Sequence, residues 1–141
     1  MKNIIVHDSF LRIVFLSSTY EGRIHDKAIA DQEAYDFPAD STLLQDTGFQ
    51  GFARDGVTIE QPKKKPRNGT LIDAEKEENR RIARIRCAIE HVIASVKRFR
   101  ILKDVCRMTT HRCLDMLMQI GCGLHNFIVQ QRQWKEIIFK S

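Results

Sequence analysis

The longest periodic stretch of the chain runs from Asp73 to Phe99. Apolar residues recur there at steps of three and four positions, which places them on one face of an α-helix. The stripe consists of Ile82, Ile85, Ile89, Val92, Ile93, Val96 and Phe99. Thr70 is a candidate cap for this helix, because Asp73 stands three residues later in the capping-box position. The pattern therefore predicts one long amphipathic helix over residues 73–99.

The N-terminal half predicts shorter elements. Two β-branched apolar runs, residues 3–7 and 11–17, flank the turn formers Asp8 and Ser9, which favours a β-hairpin. Asp26 is placed to cap a short helix from Lys27 to about Glu33. Apolar runs at residues 41–45 and 57–59 predict two further short strands.

A second long helix is expected from Thr109 or Thr110 to about Gln131. Its apolar face is predicted to carry Leu114, Leu117, Ile120 or Gly121, Leu124, Phe127 and Ile128. Gly121 and Gly123 within it are expected to mark a close helix contact. The order β-β-α-β-β-α-α predicts a mixed α/β domain over residues 1–130, followed by a tail over residues 131–141.

Length and composition narrow the class of protein. A chain of 141 residues suits one domain with a real core. No apolar run reaches the roughly 18 residues of a membrane helix, and the N-terminus lacks a signal-peptide pattern. The four cysteines form no CxxC pair and complete no zinc spacing with the histidines. We therefore expect a cytoplasmic protein with reduced thiols and no membrane partner.

Charge is unevenly distributed along the chain. Residues 1–60 contain 5 basic and 10 acidic side chains, whereas residues 61–141 contain 18 basic and 8 acidic ones. This asymmetry fits either a polyanion partner such as nucleic acid or a solvated basic helix face. Residues 61–70 form a basic loop that Pro62 and Pro66 keep from being helical. Its cations, Lys63, Lys64, Lys65 and Arg67, suit either phosphate contacts or a solvated linker.

Two acidic residues allow a functional and a structural interpretation. Asp46 ends the predicted strand 41–45 and precedes a glycine-containing loop, so it is either a functional carboxylate at a strand end or a turn aspartate. Glu90 stands beside the apolar stripe among arginines. It is either a metal ligand or the partner of Arg86, one helical turn earlier.

Four segments resemble a known family. They are residues 20–27 (YEGRIHDK), residues 46–51 (DTGFQG), residues 84–92 with their continuation to KRFR at 97–100, and residues 124–127 (LHNF). Their order and spacing resemble the C-terminal part of bacterial insertion-sequence transposases with a DDE superfamily nuclease domain, related to PIF/Harbinger nucleases. The resemblance covers about residues 1–130.

The resemblance implies an RNase H-like fold in which three carboxylates hold two Mg²⁺ or Mn²⁺ ions. Asp46 matches the second of these acids and Glu90 the third. Hard divalent cations prefer oxygen ligands, and two of them activate the attacking oxygen and stabilise the leaving oxygen of a phosphodiester. The implied activity is cleavage and transfer of DNA strands at transposon ends. Lys97, Arg98 and Arg100, together with the basic loop, are expected to contact phosphates.

The chain departs from the family pattern at its start. The family's first acid lies on a strand upstream of the one that begins here at Asn3. Asp26 is a conceivable substitute, although a helix cap is the simpler role. Gln45 and Phe49 also differ from the residues common at their positions. We therefore expect a truncated portion, inactive alone, that acts with an N-terminal transposase half or full-length transposase. The alternative is a non-catalytic, DNA- or transposase-binding remnant that acts as a regulator.

Overall fold

The computed structural model describes residues 1–64, 69–99 and 111–132. The elements are β1 (Ile5–His7), β2 (Ile13–Leu16), α1 (Asp26–Gln32), β3 (Ser41–Leu44), a 3-10 turn (Thr47–Phe49), β4 (Val57–Glu60), α2 (Asp73–Lys97) and α3 (His111–Arg132). This order confirms the predicted α/β class. Within the described ranges the strands form two separate two-stranded sheets.

The chain divides into two compact units. The hairpin unit comprises residues 1–23 and the residues from 87 onward, and the parallel-strand unit comprises residues 24–86. Helix α2 therefore contributes its residues up to Arg86 to the parallel-strand unit and those from Cys87 to the hairpin unit.

The hairpin unit begins with the antiparallel pair β1 and β2, as predicted. Asp8 closes the connection, because its Oδ1 accepts hydrogen bonds from the backbone N–H groups of Phe10 and Arg12, both at 2.9 Å. Leu11 has a φ of 64°, which costs a non-glycine residue about 1–2 kcal/mol. The buried side chain of Leu11 helps to offset that strain.

The core of the hairpin unit forms where α2 and α3 meet the hairpin residues. Its buried members are Leu11, Ile13, Ala88, Val92, Val96 and Cys122. Val92 and Val96 lie one turn apart on the predicted stripe of α2, which confirms the periodic interpretation for this half of the helix. Burial raises the pKa of the Cys122 thiol to about 11, so this thiol stays protonated at neutral pH.

The parallel-strand unit is built on β3 and β4, which pair in parallel from Ser41↔Val57 to Leu44↔Glu60. Parallel pairing brings the carboxyl ends of both strands to the same edge. Ile29 and Ala30 of α1 are buried, as is Ile82 of α2.

Both predicted helix caps were wrong. His25 precedes α1 and its Nδ1 accepts the N–H of Lys27 at 3.4 Å, so Asp26 is the first helical residue. Helix α2 begins at Asp73, which leaves Thr70 too far upstream to cap it. Instead Glu75 accepts the N–H of Ile72 at 3.2 Å through Oε2, the reciprocal half of a capping box.

The predicted apolar face of α3 was also partly wrong. Ile120, Leu124 and Phe127 are exposed, whereas the buried face carries Cys122, His125 and Val129. His125 occupies this face with one of its ring nitrogens, Nε2, hydrogen-bonded to the hairpin backbone, as described below. Gly123 marks no close contact, because a side chain at this position would meet open space.

Several predictions lie outside the described residues. They concern Lys65, Arg67, Arg100, the helix start at Thr109 or Thr110, and most of the tail over residues 131–141.

Candidate active-site turn around Asp46

Asp46 opens the 3-10 turn that follows β3. Its Oδ1 accepts the backbone N–H of Thr47 at 2.7 Å, so the residue is the N-cap of the turn. Its Oδ2 lies 3.2 Å from Nη2 of Arg86, and 47% of the Asp46 side chain is exposed. Asp46 is therefore a half-exposed carboxylate at the C-terminal end of a parallel strand. In this state it is neutralised by one guanidinium group.

Gln45 stabilises the turn through hydrogen bonds from its buried side chain. The side chain is buried, and its Nε2 donates to the carbonyl oxygens of Phe49 at 3.3 Å and Phe52 at 3.5 Å. These bonds tie the start of the segment to its end. Sequence reasoning treated Gln45 only as a departure from the family pattern. A long amide preceding a short turn was the available signal for its role.

The start of α1 packs directly on the same turn. A Cβ atom at Gly48 would lie 3.0 Å from Oδ2 of Asp26, and one at Gly51 would lie 3.2 Å from Cε of Lys27. Gly51 also has a φ of 86°, which favours glycine. The two glycines of the segment therefore admit the two side chains that begin α1. Asp26 and Lys27, at the end of segment 20–27, thus pack on segment 46–51, which was singled out separately in the sequence.

A cavity of about 400 Å³ borders the turn on the side of the basic loop. It is lined by Thr47, Gln50, Gln61, Pro62, Lys63, Lys64, Leu71 and Glu75. Gln61 links this cavity to the candidate site, because its Nε2 donates to the backbone oxygen of Asp46 at 2.7 Å. The chain therefore places a polar cavity next to the candidate carboxylate.

Glu90 lies on α2 within the hairpin unit and is exposed. The alternative interpretation paired it with Arg86, but that guanidinium pairs with Asp46 instead. Among the described residues no ion pair involves Glu90. Its carboxylate is thus available to a ligand from solution.

The two acids suit a hard cation by their chemistry. Carboxylate oxygens are the preferred ligands of Mg²⁺ and Mn²⁺, and both side chains reach solvent. No group of three or more histidine, cysteine, aspartate or glutamate residues is arranged to hold a metal within the described ranges. Asp46 belongs to the parallel-strand unit and Glu90 to the hairpin unit.

The predicted phosphate contacts fall into two groups. Nζ of Lys63 pairs with Oε1 of Glu75 at 3.1 Å, and Nζ of Lys64 donates to Oε1 of Gln50 at 2.8 Å. Lys97 and Arg98, at the end of α2, are exposed. Neither forms an ion pair with an acid in the described ranges.

The segment LHNF has a structural role that sequence reasoning did not assign. Nδ2 of Asn126 donates to the Ile13 oxygen at 2.9 Å, while its Oδ1 accepts the Ile13 N–H at 2.8 Å. Nε2 of the buried His125 donates to the Leu11 oxygen at 2.8 Å. Adjacent polar residues inside an apolar helix pattern were the signal for this contact. They anchor α3 to the hairpin.

These features define an α/β domain with a solvent-accessible acid at the end of a parallel strand and a second acid on a long helix. Residues 1–126 match the family model described as DDE superfamily endonuclease. The chain belongs to this family, as its motifs predicted. Endonucleases of the superfamily generally depend on divalent metal ions, and their substrate is DNA.

One curated relative is a probable transposase for insertion sequence element IS702 from Microchaete diplosiphon. It is 30% identical to this chain over 124 residues, which is 88% of this chain and 44% of the relative. The chain thus spans less than half the length of the curated relative it matches. No solved structure matches the chain. In the described part of the chain, no helix has the length and apolar character needed to span a membrane.

Proposed function

We propose that this chain carries the second and third metal-binding acids, Asp46 and Glu90, of a DDE transposase that cuts and joins DNA strands. Membership of the family and the position of Asp46 at the end of a parallel strand are the observations that carry the proposal. Divalent ions bound there would activate the attacking oxygen and stabilise the leaving oxygen. The fold of the whole domain would be RNase H-like.

The first carboxylate of the site would come from a strand outside these 141 residues. Two carboxylates hold a pair of ions poorly, so we expect the chain alone to have little or no activity. Activity requires a polypeptide that supplies an aspartate-bearing strand ahead of Asn3, either in the same protein or as a separate transposase half.

Arg86 neutralises Asp46 while no cation is bound. Its ion pair is 3.2 Å long and both side chains are about half exposed, so its net contribution to stability is small. A divalent ion at Asp46 would replace the single positive charge of the Arg86 guanidinium by a charge of +2. The guanidinium would then be free for a DNA phosphate, which it binds in a bidentate manner.

Lys97 and Arg98 would hold the phosphate backbone, together with Arg100, Lys65 and Arg67. Lys63 and Lys64 would join them at the loop. This positive surface supplies affinity that does not depend on DNA sequence and weakens as salt is raised.

The test is nicking of supercoiled DNA in Mg²⁺ or Mn²⁺. The chain would be assayed alone and mixed with a polypeptide that supplies the upstream strand. We expect nicking only in the mixture, and a loss of at least about 100-fold with Asp46→Asn or Glu90→Gln, since each removes a metal ligand. Asp55→Asn and Glu77→Gln, which change exposed acids elsewhere, should leave nicking unchanged.

Nicking that survives both Asp46→Asn and Glu90→Gln would contradict the proposal. So would the absence of nicking in every mixture combined with retained, salt-sensitive DNA binding. The second result would favour the non-catalytic regulator, whose binding needs no metal ion.

A further inference from the structure

The cavity beside Asp46 has walls of two kinds. Pro62 and Leu71 provide apolar surface, whereas Gln50 and Gln61 provide amide groups. Within the described residues, Nε2 of Gln50 and Oε1 of Gln61 make no hydrogen bond. One donor group and one acceptor are therefore available to a guest. A volume of about 400 Å³ lies within the range of small-molecule sites.

An anion is a poor guest for this cavity. Glu75 lines it, and the hydrogen bond from Lys63 lowers the pKa of this carboxyl, so it is ionised at neutral pH. Lys63 is already paired with that carboxylate at 3.1 Å. A phosphate inside the cavity would meet that negative charge, while the second lining lysine, the exposed Lys64, donates to Oε1 of Gln50 at 2.8 Å. The walls instead suit a neutral group with apolar faces and polar edges.

We propose that this cavity accepts one unstacked nucleobase of the DNA strand that runs past Asp46. The base would lie against Pro62 and Leu71 and present its edge to the amides of Gln50 and Gln61. Exposed Lys64 at the rim would face the backbone. The inference rests on DNA being the substrate, as proposed above.

The position of the cavity relates it to the chemistry. Thr47 lines it and directly follows Asp46, while Gln61 donates to the Asp46 backbone oxygen at 2.7 Å. A base held here would fix the register of the adjoining phosphate relative to the Asp46 carboxylate. Gln50 and Gln61 are therefore positioning residues for DNA.

The test uses a single-stranded oligonucleotide with one central 2-aminopurine and a dye at its 5′ end. 2-Aminopurine emission rises when the base leaves its stack, and dye anisotropy reports backbone binding independently. We expect the full chain to raise 2-aminopurine emission at least about threefold at saturation. The experiment is done in EDTA, so failure of the metal-site proposal would not affect it.

Two pairs of variants separate base capture from backbone binding. Gln50→Ala should reduce the rise in 2-aminopurine emission at least about threefold. The midpoint of the anisotropy titration, which reports backbone binding, should change less than about twofold. Its control is Gln32→Ala, an exposed amide at the end of α1. Leu71→Phe narrows the cavity and should act like Gln50→Ala. Its control, Ile72→Phe, adds the same ring at the exposed neighbouring position.

The proposal is overturned if binding produces no rise in emission. It is also overturned if the rise is the same in Gln50→Ala and Leu71→Phe as in the unchanged chain. Absence of DNA binding would overturn it as well. Circular dichroism melts of each variant identify any that fail to fold, and the remaining pair then decides the outcome.

Discussion

The residues around Asp46 show how neighbouring side chains present one carboxylate to solvent. Gln45 ties the turn internally, and Asp26 and Lys27 pack on Gly48 and Gly51. The turn is thus fixed from two sides, which is the rigidity that a metal ligand needs.

The packing of Lys27 on Gly51 can be tested against a matched glycine. Gly51 and Gly56 both have positive φ, 86° and 74°, but a side chain at Gly56 would meet open space. Gly56→Ala should cost only the backbone strain of about 1–2 kcal/mol. Gly51→Ala should cost about 0.5–1 kcal/mol more, because the Lys27 side chain must move away from the added methyl group. Urea unfolding measures both free energies of unfolding.

Lys27→Ala in the Gly51→Ala background should remove the excess cost, since the obstructing side chain is gone. Equal unfolding free energies for Gly51→Ala and Gly56→Ala would show that α1 does not pack closely on the turn.

At the scale of secondary-structure elements, hydrophobic periodicity correctly predicted which helices and strands exist and in what order they follow. The long helix, the hairpin and both short strands occur within two or three residues of their predicted bounds, because each has a strong local pattern. Both caps were predicted wrongly because the backbone geometry at each helix start decides which residue caps it. Composition does not encode that geometry, either for His25 against Asp26 at α1 or for Thr70 at α2. The face of α3 was predicted wrongly because the hydrogen bonds of His125 and Asn126 are made to Leu11 and Ile13, which are distant in the sequence.

Helix α3 is held to β2 by a side chain that acts as a strand neighbour. Asn126 exchanges two hydrogen bonds with Ile13, as a paired residue in a ladder would. Asn126→Ala leaves both backbone groups unpaired and should cost about 1–3 kcal/mol. Gln130→Ala, an exposed amide on the same helix, should stay within about 0.5 kcal/mol of the unchanged chain. Denaturant unfolding that gives equal values for these two variants would contradict the contact.

At the scale of the whole molecule, the charge distribution along the chain and its family membership together support the proposed function. The C-terminal half is strongly basic and contains Glu90, whereas Asp46 lies in the acidic N-terminal half. Asp46 and Glu90 were identified from the sequence by resemblance alone, because neither periodicity nor spacing separates a metal ligand from a turn or ion-paired acid. The surroundings of Asp46 then required the folded chain. Gln61 and the start of α1 reach the turn only through tertiary packing.

The most direct test of the central claim is iron-mediated cleavage of the chain itself. Fe²⁺ enters oxygen-ligand sites, and with ascorbate and peroxide it cuts the backbone nearby. We predict cuts near residues 46 and 90, both suppressed by excess Mn²⁺. Asp46→Asn alone should abolish both cuts, and so should Glu90→Gln alone. Asp55→Asn and Glu77→Gln should leave both cuts in place. Cuts near only one of the two acids, or cuts unchanged in both variants, would contradict a shared metal site.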